Sequence, residues 1–576
     1  MDMGSKDSQG LLHEHMGLWI ALLVLSIPIF VVWWWTDYRW SLALREPPLV
    51  PYIIPWIGHG LSFMKDVNAF TAWARSKYPS SPAATVQIAG KHLYLIFDVK
   101  LASQIYRRSQ TFIFDPFFIQ TSRILGASKK DLEILEMGAQ VVFRRPGIKD
   151  DGRRILHDLH QLSPGFLQGK SLDKLTDVFL DVLCEDIDKR FPPSEEKSYE
   201  WEAMNLGNYI KETRAHASIV ALLGTHIYDI WPGVNEWVWK FDEHFQSLFT
   251  EMPQFLNPKA HKLLEEGQQM CEKWEQDALK AGEEGRIEED PEWDPYWGLR
   301  FSRVRSEMLR DNGLSTKFRA GNGVAFLWGF EANAIPISIQ IMSQVLLRPK
   351  LLAKLHTEIS ACQTGPLTFD LKKLTTQPKF KSLFYETLRW ATASPSPRVV
   401  REDCQLGDYL LRAGSMVVIH SRTLQMDPAT WFIPGCPESD PSNFWPERFM
   451  DGHSSEALVT EENAEAEENY FTDVKRGSTG DRKGKGSEKT QLSKSKYIQH
   501  KMSALRPFGG GTTLCPGRHF AMNEILGGMV AMMLRLEIEV VEEELEKNGV
   551  PEADLKKTGG LFPDRPFIVR MRRRRT

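Results

Sequence analysis

The feature that most constrains this chain is a glycine-rich turn that ends in one cysteine just before an apolar run. Residues 506–517 read Arg-Pro-Phe-Gly-Gly-Gly-Thr-Thr-Leu-Cys-Pro-Gly, and Cys515 is the cysteine. Three consecutive glycines let the backbone adopt positive φ and come close to a flat surface. The apolar residues after Cys515 have helical spacing, and the positive end of a helix stabilises a nearby thiolate. The turn therefore predicts a thiolate held open beside a planar ligand, a geometry suited to iron.

Two plainer interpretations of the turn have to be weighed. A single cysteine is most often a small buried hydrophobic residue. A glycine-rich loop before a helix also suits phosphate, but a phosphate-binding loop ends in Gly-Lys-Ser/Thr, which is absent from this turn. Two further motifs upstream favour the thiolate interpretation.

The first upstream motif pairs Glu386 with Arg389 on a segment whose apolar spacing predicts a helix. Residues three apart share one side of a helix, so this glutamate and arginine can form an ion pair. The second motif is Pro-Glu-Arg-Phe at residues 446–449, which supplies Arg448. Taken alone, each motif is also explained by an ordinary surface charge.

Together the three motifs resemble those of the cytochrome P450 family. The turn matches the family pattern Phe-x-x-Gly-x-x-x-Cys-x-Gly at Phe508, Gly511, Cys515 and Gly517. The resemblance implies the P450 fold, mainly α with a small β region, and haem b with Cys515 as its axial thiolate. It also implies a buried triad that supports the haem, formed by Glu386, Arg389 and Arg448.

The same resemblance predicts a long helix from about 321 to 347 that crosses the haem. The family usually carries a threonine there that helps to deliver protons, but this chain has none, and Glu331 and Asn333 are its nearby polar groups. They are the predicted catalytic residues, with Asn333 also interpretable as a structural amide. Pro336 follows and removes one helical hydrogen bond. This pattern resembles the branch of sterol 7-alpha and 12-alpha hydroxylases and prostacyclin synthase, with fungal-type secondary metabolism as a setting.

The resemblance assigns the haem propionates to basic residues, only some of which are present. Arg398 lies where family members place a basic residue. The usual arginine two residues before the cysteine is Thr513, so Arg506 or Arg518 is expected to compensate. A second arginine that family members place against the propionates is also absent. His157 and His160 lie near its place and are candidate propionate contacts, although each is equally well explained as a surface histidine.

Composition narrows the class and compartment of the protein. The chain has 576 residues and a net charge of −4, so no basic field indicates nucleic-acid binding. Six cysteines are widely spaced without a Cys-x-x-Cys pair, which argues against a disulfide framework or zinc site and favours a reducing compartment.

The N-terminal region predicts a single membrane anchor. Residues 16–35 contain no charged side chain and are long enough as a helix to span a bilayer. Acidic residues precede this span and arginines follow it, which places 1–15 in the lumen and the remainder in the cytosol. A proline-rich linker, 36–55, then leads to a catalytic domain at 56–576. The resemblance to microsomal family members implies the endoplasmic reticulum membrane.

Three further segments give expectations about the domain. Residues 84–88 and 93–97 are strand-like runs separated by Gly90 and Lys91, and together they predict a β-hairpin. Aromatic residues between 231 and 249 are expected either to cover the substrate cavity or to pack in the core. Residues 451–496 are rich in Glu, Lys, Ser and Gly, which predicts a disordered insertion. It is either a plain solvated loop or a segment that tunes docking of a redox partner.

The expected function is a membrane-anchored monooxygenase that oxidises a hydrophobic sterol, terpenoid or polyketide-like molecule. The resemblance implies O2 as oxidant and electrons from NADPH through cytochrome P450 reductase, with cytochrome b5 as a further candidate partner. A haem-thiolate isomerase or dehydratase, which needs neither O2 nor reductase, is the main alternative, and the missing threonine is its support. A non-catalytic haem or sterol-binding protein is the third.

Overall fold

A computed structural model of the protein describes residues 26–28, 31, 45–52, 54, 57–138, 155–249, 254–450 and 501–575. Most of the predicted anchor (16–35) and the whole predicted insertion (451–496) lie outside these described residues. The described part is mainly helical with short strands, as the sequence predicts.

The helices dominate the chain between the first hairpin and the C-terminal strands. In chain order, as α1 to α20, they are Gly60–Lys65, Val67–Lys77, Val99–Arg107, Asp115–Ile124, Lys129–Gly138, Ile155–Phe166, Gly169–Arg190, Leu206–Leu223, Ile227–Ile230, Val234–Phe249, Pro258–Glu283, Arg300–Asp311, Thr316–Leu346, Pro349–Cys362, Leu371–Leu374, Pro378–Ala391, Ser421–Gln425, Pro428–Trp431, Arg518–Arg535 and Glu542–Asn548.

The strands form one five-stranded sheet and several small ones. In chain order, as β1 to β16, they are Ala83–Ile88, Lys91–Ile96, Phe112–Ile113, Glu202–Asn205, Trp293–Asp294, Gly298–Leu299, Gln363–Gly365, Thr368–Phe369, Thr392–Ala393, Pro395–Val400, Cys404–Leu406, Tyr409–Leu411, Met416–His420, Leu536–Val540, Gly559–Gly560 and Ile568–Arg573. The large sheet has the order β1-β2-β13-β10-β3, in which only the β2–β13 pair is parallel.

The predicted hairpin is confirmed as β1 and β2. The two strands pair antiparallel with Ala83 opposite Ile96 and Ile88 opposite Lys91. The two residues between them, Ala89 and Gly90, have φ of 48° and 77°. Positive φ at both central positions gives a turn whose twist matches that of the strands, which explains the tight connection.

The long helix α13 is the central element of the helical part. Its N-terminus is fixed by Ser315, whose hydroxyl accepts from the Phe318 amide and whose own amide donates to Asp131 at 2.7 Å. The helix continues through Pro336 to Leu346, close to the predicted bounds of 321–347. α13 packs against α8, α11, α16 and α19.

α13 is also the one helix of the described residues that is long and apolar enough to cross a membrane. However, 67% of its most apolar window is buried within the protein. This burial is the behaviour of a core helix, so α13 gives no support for the predicted anchor.

The aromatic residues of α10 pack in the core and onto α13. Trp237 stacks on Phe241 with ring centroids 4.9 Å apart, and both side chains are buried in a cluster with α11. Phe245 stacks on Trp328 of α13 with centroids 3.5 Å apart. The Trp328 indole N–H donates to Asp242 at 2.9 Å. α10 is therefore joined to α13 by one ring stack and one hydrogen bond.

Candidate active site

A cavity of about 600 Å³ lies between α13, strand β10 and the loop that leads into α19. Its wall includes Cys515 and is mostly apolar, with Phe114, Phe326, Phe330, Ile337 and Leu388 among the lining residues. Three of the four residues matched to the family turn, Phe508, Cys515 and Gly517, also line it, whereas Gly511 does not. The cavity therefore brings the predicted thiolate turn to the face of α13.

The thiolate turn is held by its own backbone. The Cys515 amide donates to the Phe508 carbonyl at 3.0 Å, and residues 511–513 form a short 3-10 turn. Gly517 precedes α19, and the Arg518 guanidinium donates to the Cys515 carbonyl at 3.0 Å. Burial raises the pKa of the Cys515 thiol, against the lowering effects of the Gly517 and Arg518 amides and the Arg518 charge. The expected helix-end stabilisation is present, but burial outweighs it.

The glycines of this turn show the predicted positive φ and also allow a close contact with a neighbouring helix. Gly509 and Gly511 have φ of 72° and 64°, whereas Gly510 is extended. A Cβ on Gly510 would lie 2.8 Å from the Tyr106 ring, and one on Gly511 would lie 2.5 Å from the Tyr106 carbonyl oxygen. The close approach of the turn to the end of α3 therefore requires glycine at positions 510 and 511.

Two arginines meet on the ring of Tyr106 at one end of the cavity. The guanidinium carbons of Arg398 and Arg506 each lie 5.4 Å from the ring centroid, and both residues line the cavity. Arg398 is buried and donates to neutral acceptors, among them the Gly510 carbonyl at 3.2 Å and the Thr513 hydroxyl. The Tyr106 hydroxyl is buried without a hydrogen-bond partner among the described residues.

The sequence offered two arginines and two histidines in place of the missing propionate contacts. In the structure, one residue of each pair lines the cavity. Arg506 lines the cavity, whereas Arg518 is turned to the Cys515 carbonyl. His160 lines the cavity, and burial lowers its pKa, whereas His157 is not among the lining residues. Tyr106 was missed in the sequence because nothing in its local pattern distinguishes it from a core aromatic residue.

The predicted charged triad is assembled and fully buried. Glu386 accepts from both Nε and Nη2 of Arg389 at 2.8 Å and from Nε of Arg448 at 2.9 Å. The same carboxylate accepts from the Trp445 amide at 2.8 Å. Side-chain exposure of all three charged residues is 0%. The remaining guanidinium N–H groups donate to loop carbonyls between 425 and 443, so the triad fixes that loop to α16.

The two polar residues predicted on α13 have different environments. Asn333 lines the cavity, and its side-chain oxygen accepts from the Gly560 amide at 3.0 Å, which joins strand β15 to the helix. Glu331 is buried and is not among the lining residues. Neither of its carboxyl oxygens has a hydrogen-bond partner among the described residues.

Glu524 is a cavity-lining carboxyl that the sequence analysis missed. It lies on α19, is only 1% exposed, and accepts from the Ser218 hydroxyl at 2.7 Å. A single acidic residue in a helix whose other residues around it are mainly apolar is the signal that could have identified it.

The residues around the cavity fit a haem. A soft sulfur ligand stands in the wall, and at one end the Arg398 guanidinium donates only to neutral acceptors, where an anionic carboxylate would satisfy it. Apolar side chains form most of the remaining lining and suit a large flat ring system.

Comparison with known proteins identifies the family. The Cytochrome P450 family model matches residues 47–466, a segment that ends before the thiolate turn. The chain is 25% identical to Cytochrome P450 monooxygenase fsoE of Humicola fuscoatra, covering 97% of this chain and 95% of that one.

Two other relatives show a similar extent of likeness. Cytochrome P450 monooxygenase calL of Penicillium decumbens is 26% identical, with 96% and 98% of the two chains covered. Cholesterol 7-alpha-monooxygenase of Cricetulus griseus is 23% identical, with 95% and 96% covered, in agreement with the predicted sterol hydroxylase branch. The chain belongs to the cytochrome P450 family and is an oxidoreductase of the monooxygenase type.

Proposed function

We propose that the protein is a membrane-anchored haem b monooxygenase that hydroxylates or oxidises a hydrophobic sterol, terpenoid or polyketide-like molecule. The observation that carries the proposal is one cavity that combines Cys515, Arg398, Arg506 and an apolar wall to which α13 contributes. NADPH is the electron source through cytochrome P450 reductase, with cytochrome b5 as a further candidate partner. When bound, the haem activates O2 for insertion into a C–H bond.

The residues of the cavity have separate proposed roles. Cys515 would supply the thiolate that holds the haem iron, and the backbone of the turn, with Phe508, Gly511 and Gly517, holds the sulfur in place. Arg398 and Arg506 would hold the propionates, and the Tyr106 ring packs against both guanidinium groups. Arg518 supports the turn through the Cys515 carbonyl rather than contacting the haem.

The walls of the cavity support an apolar, rigid substrate. Aromatic and aliphatic side chains form most of the lining, whereas Asn333, His160 and Ser163 are among its few polar groups. The Asn333 side-chain oxygen is engaged with Gly560, so the free part of the amide is its NH2 donor group. That group is suited to orient a single hydroxyl or carbonyl on an otherwise apolar molecule.

The proposed organisation comprises a lumenal segment at 1–15, an anchor at 16–35, a linker at 36–55 and a catalytic domain at 56–576. It places the domain on the cytosolic side of the endoplasmic reticulum membrane. The support is the uncharged N-terminal stretch and the likeness over nearly the whole length to sterol 7-alpha-monooxygenase. Fractionation of the full chain and of a chain lacking residues 1–35 tests the anchor, since only the full chain should resist extraction by alkaline carbonate.

The function is tested by metabolite profiling in a host that co-expresses the reductase, under heavy-isotope O2, with Cys515→Ala as control. We expect a product that depends on Cys515 and carries one heavy oxygen atom per oxidation. A Cys515-dependent product that carries no label and forms without the reductase would overturn the proposal and indicate an isomerase or dehydratase.

A further inference from the structure

Two phenylalanine rings on α13 form part of the cavity wall. Phe326 and Phe330 stand about one turn apart on the helix, and both line the cavity. Their ring centroids are 4.9 Å apart and the ring planes meet at 64°, an edge-to-face arrangement that aromatic rings prefer. We call these two residues the phenylalanine pair.

The phenylalanine pair is packed against two further rings. Phe326 contacts Phe301 of α12 with centroids 5.1 Å apart, and Phe330 contacts Phe520 of α19 with centroids 6.1 Å apart. Phe301 is 1% exposed and Phe520 is 2% exposed. Because a closely packed interior leaves little free volume, neither ring of the pair can move toward these neighbours.

Arg305 of α12 holds Phe326 from outside the cavity. Its guanidinium carbon lies 4.3 Å from the centroid of the Phe326 ring, and Arg305 is not among the lining residues. Its Nη2 donates to the Asn322 carbonyl at 2.5 Å and also to the Asn322 side-chain oxygen. Asn322 and Phe326 are four residues apart on one side of the helix, so a single guanidinium holds α13 at two successive turns.

The charge of Arg305 strengthens its contact with the ring. Arg305 forms no ion pair with a carboxylate among the described residues, since the nearby Glu275 carboxylate is bound by Arg319 at 3.0 Å. The face of Phe326 and the Asn322 oxygens are therefore the groups that compensate the guanidinium directly. A cation over an aromatic face is attracted by the ring quadrupole, more strongly where water is excluded. Rotation of Phe326 away from Arg305 would lose that attraction.

Between the two phenylalanines, α13 is open to the cavity. Gly329 lines the cavity next to Phe330, and a Cβ on Gly329 would meet no atom within 4 Å. The three other glycines of the lining each have a neighbouring atom within that distance; they are Gly509, Gly517 and Gly560. The helix thus presents a fixed pair of rings with free space beside it.

We propose that Arg305 is a positioning residue that holds the phenylalanine pair in one place, so that the cavity selects apolar ligands by shape. A molecule that can bend into the space at Gly329 is admitted, whereas a rigid ring that meets the pair is disfavoured. The inference deepens the proposed function and rests on it for the apolar chemistry of the ligand.

The selection is tested by ligand binding to the haem-loaded full chain, followed by haem absorbance, with two azoles as probes. 1-Hexylimidazole carries a flexible chain, and 1-phenylimidazole carries a rigid ring with the same number of carbon atoms. In Arg305→Met, Phe326 is free to turn aside. Binding of 1-phenylimidazole relative to 1-hexylimidazole should therefore tighten about twofold to thirtyfold, the range that corresponds to a cation–π contact.

Asn322→Ala provides a milder variant of the same contact. It removes one of the two oxygens that hold the guanidinium and leaves Arg305 in place. We expect it to shift the binding ratio in the same direction as Arg305→Met but by a smaller factor. It keeps the inference testable if Arg305→Met fails to fold or to take up haem.

The matched control is Arg300→Met. Arg300 also lies on α12, with its guanidinium carbon 5.6 Å from the centroid of the Phe166 ring, but Phe166 does not line the cavity. Arg300 also pairs with Asp290 at 2.6 Å, so its loss perturbs α12 by more than a ring contact. We expect the binding ratio to stay at the wild-type value. Equal shifts in the Arg300 and Arg305 variants would show general loosening of α12 and overturn the inference.

A double-mutant cycle tests whether Arg305 acts through the ring. Phe326→Leu should also tighten 1-phenylimidazole relative to 1-hexylimidazole, and Arg305→Met should cause no further shift in that background. A further shift, or an unchanged ratio in Arg305→Met and Asn322→Ala alike, would overturn the inference while the haem-loaded protein leaves the proposed function intact. A wild type that takes up no haem would instead overturn the proposed function and this inference with it.

Discussion

Replacing Glu386 by glutamine isolates the energetic contribution of the buried triad. The substitution keeps the shape of the side chain but removes the single negative charge between two guanidinium groups with no solvent exposure. Glutamine also turns an NH2 group toward donors that the carboxylate satisfied, namely Arg389, Arg448 and the Trp445 amide. Two buried cations then face each other without compensation.

The expected cost follows from these contacts. Breaking a buried ion pair by neutralising one partner typically costs about 3–5 kcal/mol, because the remaining charge stays buried. Glu358→Gln provides the matched control: Glu358 is also buried, but its partner Lys379 is 33% exposed at the side chain and stays hydrated. An ion pair that reaches water contributes only about 0–1 kcal/mol.

The assay is urea unfolding of the haem-loaded full chain in detergent, followed by far-ultraviolet circular dichroism and by retention of haem. We expect the midpoint for Glu386→Gln to fall by an amount equivalent to about 3–5 kcal/mol, and that for Glu358→Gln by about 1 kcal/mol or less. If the two variants lost the same stability, the triad would not be the buried charge network that its geometry indicates, and the argument would fail.

Three further predictions address the turn, the cavity and the buried carboxyl. Gly511→Ala should lower the free energy of unfolding by about 1–3 kcal/mol more than Gly414→Ala and should impair haem loading. Both positions have positive φ, but only at Gly511 would the new Cβ meet backbone, at Tyr106. Urea midpoints and haem content measure the two effects. Asn333→Ala should cost about 1–3 kcal/mol in thermal unfolding and alter the product pattern, since the Gly560 amide loses its acceptor. Because burial raises the pKa of Glu331, the native state keeps a proton that the unfolded chain releases, so stability falls as pH rises above about 4.5. Glu331→Gln should therefore gain stability over the wild type between about pH 5 and 8 in unfolding measurements at several pH values.

Local chemistry in the sequence predicted the elements that depend on neighbours along the chain. The hairpin follows from two strand-like runs on either side of Gly90 and from the turn that residues 89–90 allow. The family resemblance predicted α13 over about 321–347, and the helix begins five residues earlier, at Thr316, where Ser315 caps it. The ion pair between Glu386 and Arg389 follows from helical spacing of three.

Contacts between distant segments could not be obtained from such patterns. Periodicity tells which face of a helix is apolar but not which residue of another element meets it. Tyr106 against Gly510 and Asn333 against Gly560 both join segments hundreds of residues apart. Ser218 and Glu524 likewise meet across 306 residues, because α8 and α19 come together in the fold. The predicted anchor and insertion lie outside the described residues and stay predictions.

The ring stack and hydrogen bond between α10 and α13 would have to break before a molecule could pass between these helices into the cavity. Trp328 is held by the Phe245 ring and by Asp242, and it directly precedes the cavity-lining Gly329 and Phe330. Any displacement of α10 from α13 must separate the two rings and break the indole hydrogen bond together. A molecule that passed between α10 and α13 would therefore meet a barrier distinct from that of the oxidation. Its passage would depend on Trp328, a residue that is not part of the cavity lining.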